Sequence, residues 1–165
     1  MLHRLKLLLT HGDLTTAMDR VRQATRARLS ARAPIPIDTI LASCLDEATT
    51  IAGTELLCGL AGVAGVEPTV LRGTDSLRDI FSAERSELDE TTCTVLDRYG
   101  LGNRIQPDAY ELMHFAETSI SRSTWSAGRS RLRPPPQNEE EWLDAFMGMT
   151  ICQFLNFGLA DISAN

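Results

Sequence analysis

No two cysteines of this chain stand in a Cys-x-x-Cys pair, and no apolar run reaches the length of a membrane span. Clustered zinc ligands and a spanning helix are therefore not expected. Aromatic residues make up only 5% of the chain, and almost no segment alternates apolar and polar side chains as a half-buried strand does. That scarcity argues against a sheet. Nucleophilic triads and metalloprotease helices are missing. Gly59-Leu60-Ala61-Gly62-Val63-Ala64-Gly65 lacks the Lys-Ser or Lys-Thr ending of a phosphate loop and follows a helix rather than a strand, so its glycines read as close helix packing. Leu7-Leu8-Leu9 after Arg4 and Lys6 is too short for a secretory signal, and no small-residue cleavage site follows it. A cytoplasmic protein is expected.

What is present suits one domain with its own core: 165 residues, 43% of them hydrophobic, with ordinary numbers of glycine and proline. Cys44, Cys58, Cys93 and Cys152 are far apart in apolar or helical settings, and a chain that builds its own core has no need of cross-links. They read as buried free thiols.

The net charge of −6 is unevenly spread. Residues 1 to 32 carry seven basic side chains, Arg4, Lys6, Arg20, Arg22, Arg26, Arg28 and Arg32, against Asp13 and Asp19 alone. The rest of the chain is acidic. Such a basic segment could seek nucleic acid, an anionic membrane or an acidic partner, but the acidic body would repel the first two. A helix face docked on its own acidic domain is the simpler reading.

Helix signals run along the chain. Asp13 caps a basic helical segment within residues 1–33, ended by Ala33-Pro34-Ile35-Pro36. Asp38 opens a second helix through Ile40, Leu41, Cys44, Leu45, Ala48, Ile51, Leu56 and Leu57, weakened and stopped by Gly59, Gly62 and Gly65. Ser76 or Asp75 caps a short turn through Leu77, Ile80 and Phe81, and Ser86 or Asp89 a helix that Gly100 ends. Pro107 suits the first turn of a helix through Phe115. Residues 121–137 read as an Arg- and Pro-rich loop, with Arg129, Arg131 and Arg133 as a basic tip able to grip an acidic partner. Asn138 with Glu141 makes a capping box for a last helix within 138–162, apolar on most sides from Trp142 to Leu159. An all-α single domain of five or six helices follows. A helix that apolar needs cover on several sides, so Phe146, Met149, Phe154 and Phe157 are expected to divide between the core and a surface for self-association or a protein partner.

The stretch from Gly65 to Phe81 resembles the loop after the first helix of acyl and peptidyl carrier proteins, a loop that leads to their carrier serine. Asp75-Ser76-Leu77 matches the family's Asp-Ser-Leu tripeptide, and Leu96-Asp97-Arg98-Tyr99-Gly100 is similar to the ending of its second helix. The likeness spans residues 38–120 and implies a four-helix core. In one register it places phosphopantetheine on Ser76. In the other the site falls among Ser82, Glu84 and Ser86, which implies a carrier-like domain with no prosthetic arm. The bland reading of Asp75-Ser76-Leu77 is a helix cap. One further constellation, Glu111-x-x-His114, puts a carboxylate and an imidazole on one helix face, as in metal-binding helical bundles. It occurs once, and a solvated or singly hydrogen-bonded His114 is the expected state. The function expected is a non-catalytic protein-interaction module without a cofactor, with an active carrier bearing phosphopantetheine on Ser76 and a metal-dependent bundle enzyme using Glu111 and His114 as the alternatives.

Overall fold

The computed structural model describes residues 2–46, 49–101, 106–132 and 134–160, with side chains from Gly12 onward. Among them stand nine α-helices and no strand, so the domain is all-α but more finely divided than expected. They are α1 (Leu2–Ser30), α2 (Ile37–Ala42), α3 (Thr50–Ala64), α4 (Leu77–Phe81), α5 (Glu90–Arg98), α6 (Ala109–Ser119), α7 (Arg122–Arg131), α8 (Glu139–Met147) and α9 (Ile151–Gly158).

Several helix starts follow from side chains that accept a free backbone amide. Ser76 receives the Asp79 amide, Asp89 that of Thr92, Ser121 that of Thr124 and Asn138 that of Glu141. Thr150 and Gln153 form a reciprocal capping box at α9. Glycines provide two of the stops. Gly65 and Gly100 have φ of +70° and +67°, the left-handed turn that closes α3 and α5 and that other residues adopt at a cost.

Several boundaries differ from the sequence reading: Pro107 lies just ahead of α6, and Asp38 inside the first turn of α2. Asp13 lies inside α1, which begins well before it. The long second helix is broken: Ser43 ends α2, and α3 starts afresh at Thr50. Ala48 lies outside the described residues. The segment 121–137 contains α7, capped by Ser121, so Arg129 and Arg131 stand on a helix and not on a loop tip. Arg133 lies outside the described residues. The helix from Trp142 to Leu159 is two helices, because the chain at Met149 and Thr150 leaves the helix to pair with residues 75 to 77. There the Leu77 amide donates to the Met149 carbonyl and the Ile151 amide to that of Asp75, both at 2.8 Å.

The main core gathers Leu57, Leu60, Leu71, Leu77, Leu112, Phe146, Ile151 and Phe154, all essentially inaccessible to solvent. A smaller cluster, Ala17, Val21, Ala83, Val95 and Leu96, fastens α1 to α5. Around it the arginines of α1 reach the body one after another. Arg20 pairs with Asp89, Arg22 with Asp108 at 2.6 Å, Arg28 with Glu87, and just past the helix Arg32 pairs with Asp75. Burial pulls the Arg22 guanidinium toward losing its proton, but the bond to Asp108 outweighs it and holds the proton more tightly than usual. Arg26 donates to the Ala64 carbonyl at 3.1 Å, placing a cation on the negative end of α3. The basic segment is thus docked on its own acidic domain.

Candidate functional site

The tripeptide Asp75-Ser76-Leu77 is built into the fold through all three residues. The Asp75 carboxylate, only 12% exposed, accepts from its own loop at the Arg72 amide (2.8 Å) and from Arg32 (2.6 Å). Ser76 Oγ receives the Asp79 amide at 3.1 Å, and its backbone faces Thr150 in an antiparallel bridge. Leu77 is wholly buried. The helix that follows Ser76 is five residues long. In the competing register, Ser82 Oγ donates to the Arg78 carbonyl, while Glu84 and Glu87 cap a single 3-10 turn that contains Ser86.

Ser76 stands at the edge of an open groove of about 970 Å³ between α4, the end of α7, and α8 and α9. Its lining is mixed. Met149, Phe157, Leu132 and Ala145 provide apolar surface, and Arg78, Arg131, Asp144 and Asn156 polar surface. Arg78 is paired with Asp144 at 2.6 Å, whereas Arg131 has no ion-pair partner among the described residues.

Behind the groove lies an aromatic cluster holding five of the nine aromatic residues of the chain. Trp125 meets Trp142 edge-on at 5.2 Å between centroids and Phe157 at 5.5 Å, and Phe146 joins Phe154 at 6.0 Å. The approach of α7 to α9 requires Gly128, since any side chain there would enter the ring of Phe157. Arg129 lies 5.4 Å above the Trp142 ring and pairs with Glu139. Phe146 and Phe154 are fully buried and Met149 nearly so; Phe157 keeps partial exposure and is the one of the three aromatics that lines the groove.

Cys44 and Cys152 are joined by a disulfide across 108 residues, which corrects the expectation of four buried free thiols. Cys58 and Cys93 are free, and Cys58 is exposed. Spacing along the chain carries no signal for a pair formed by the turn after α2 and the first turn of α9. The flanking Gly73 is needed for it, because a methyl group there would lie 2.6 Å and 2.7 Å from the two sulfurs. Asn156 completes the junction, donating to the carbonyls of Cys44 and Cys152 at 2.9 Å and 2.8 Å.

Glu111 and His114 lie on the exposed side of α6, one turn apart. No group of three His, Cys, Asp or Glu side chains arranged to hold a metal occurs among the described residues. Nor is any helix among them long and apolar enough to cross a membrane.

Comparison of the chain with protein-family models, with curated proteins and with solved structures returns no match.

Proposed function

We propose that this domain is a non-catalytic, cytoplasmic protein-interaction module, arranged like a carrier protein but without a prosthetic arm, and that the groove beside Ser76 receives its partner. The observation that carries this reading is the lining of that groove. It combines half-exposed Phe157 and Leu132 with an arginine, Arg131, that the rest of the described chain leaves without an acidic partner. A protein segment with an apolar face and a carboxylate satisfies both demands.

Ser76 supports the unmodified form. A carrier serine must be offered at an open helix start, whereas here it is half-buried, hydrogen-bonded to the Asp79 amide and bridged to Thr150.

Two measurements test the reading. After co-expression with a phosphopantetheinyl transferase the intact mass is expected to stay unmodified; a mass gain of one arm that disappears in Ser76→Ala establishes an active carrier instead. Partners captured by the wild type should be lost with Arg131→Glu and kept with Arg122→Glu, a change of the same kind at the other end of α7. Equal retention by both variants rules out the groove, and a dimer in sedimentation that Phe157→Asp dissociates makes the partner a second copy.

A further inference from the structure

We infer that the Cys44–Cys152 disulfide is a thiol-exchange site, opened and closed by low-molecular-weight thiols without unfolding of the domain. Both cysteines are partly exposed, and Cys152 lines the open groove while Gly73 covers the sulfurs from another side. Cys152 is the second residue of α9, where the positive end of the helix dipole favours a thiolate, and Arg131 stands in the same groove. A stabilised thiolate is the better leaving group. The exchange therefore runs in one direction. An incoming thiolate attacks Sγ of Cys44, the S–S bond to Cys152 breaks, and Cys152 departs as the thiolate. A second small thiolate then attacks the added sulfur, releasing Cys44 as a thiolate that takes up a proton. Two small thiols are oxidised to their disulfide while the protein gains two electrons.

Local structure keeps the opened form together. The segments around the bond are also joined by the Cys152 amide to Gly73, the Ile151 amide to Asp75, and Asn156 to both cysteine carbonyls. Core burial of Ile151, Phe154 and Leu155 holds α9 independently of the sulfurs. In the cytoplasm, where disulfides are usually transient, such a bond is a sensor and not a staple.

The test uses the full chain carrying Cys58→Ser, which removes the exposed thiol. It is equilibrated in buffers of reduced and oxidised glutathione, quenched with a maleimide and mapped by peptide mass. The expected result is a reversible two-electron transition within the glutathione range, a mixed disulfide on Cys44, unchanged far-ultraviolet dichroism, and new protease cleavage between residues 43 and 46. Arg131→Glu should shift the equilibrium constant about two- to fivefold toward the disulfide, and Arg122→Glu should not. The inference fails if the bond never forms in oxidised glutathione, if it resists reduced glutathione until the chain unfolds, or if Cys44→Ser/Cys152→Ser abolishes the folded state.

Discussion

The Arg32 guanidinium donates to the Asp75 carboxylate at 2.6 Å, tying the end of α1 to the turn that presents Ser76. Because Asp75 also accepts the Arg72 amide, its loss strands two donors at once. Asp75→Ala is expected to cost about 2 kcal/mol in urea denaturation. Combined with Arg32→Ala it should cost less than the sum of the two single changes, a coupling that a double-mutant cycle reads directly.

Two glycines in helices should respond to alanine with opposite signs. Gly62 of α3 has open space where a side chain would stand, so Gly62→Ala should stabilise by about 1 kcal/mol through helix propensity. Gly128 of α7 faces the ring of Phe157, itself backed by Trp125 and Trp142. Gly128→Ala should destabilise by about 1 to 3 kcal/mol. Phe157→Leu in the same molecule should recover part of that loss.

Acid should loosen the start of α5. The Thr92 amide, with help from the Thr92 hydroxyl and Arg20, holds the Asp89 carboxyl below its ordinary 3.8, and Arg85 does the same for Asp97. A carboxyl that binds its proton less readily when folded supports the fold above its ordinary value, and that support disappears as pH falls through the folded value. Thermal midpoints should therefore decline below about pH 4. Asp89→Asn keeps an accepting oxygen but removes the charge, and it should flatten the decline. An unchanged pH profile in that variant rules this account out.

Ser76→Ala should lower stability by about 1 kcal/mol, the usual loss of a helix cap. Ser76→Asp, which can still accept the Asp79 amide, should restore most of it. Chemical denaturation of the three proteins separates a capping serine from one that has no structural part.

Local chemistry was readable in the sequence where it involved neighbours. Asn138 with Glu141, Ser76, and the stops at Gly65 and Gly100 all act within a few residues of themselves. The break before α9 was legible only in the pair Thr150 and Gln153, and the apolar run on both sides concealed it. What opens the chain there is pairing with residues 75 to 77, more than seventy positions away. The same distance hid the disulfide and the groove, since each needs α9 against segments far earlier in the chain. α7 was missed for a different reason: with Trp125 nearly alone among arginines and serines, it has no apolar stripe to reveal a helical period.

The arginines of α1, with Arg32 just past it, set an order of events during synthesis. Translation completes α1 long before it reaches Ala64, Asp75, Glu87, Asp89 or Asp108, the groups those arginines hold. A lone helix with a narrow apolar face is marginal in water. Until residue 75 has emerged, the nascent chain carries a row of positive charge with none of these carboxylates in place, and Arg22 waits longest, for Asp108. The acidic middle of the chain is thus a late-arriving counterion, and docking of α1 waits on contacts that are 38 to 86 residues apart along the chain.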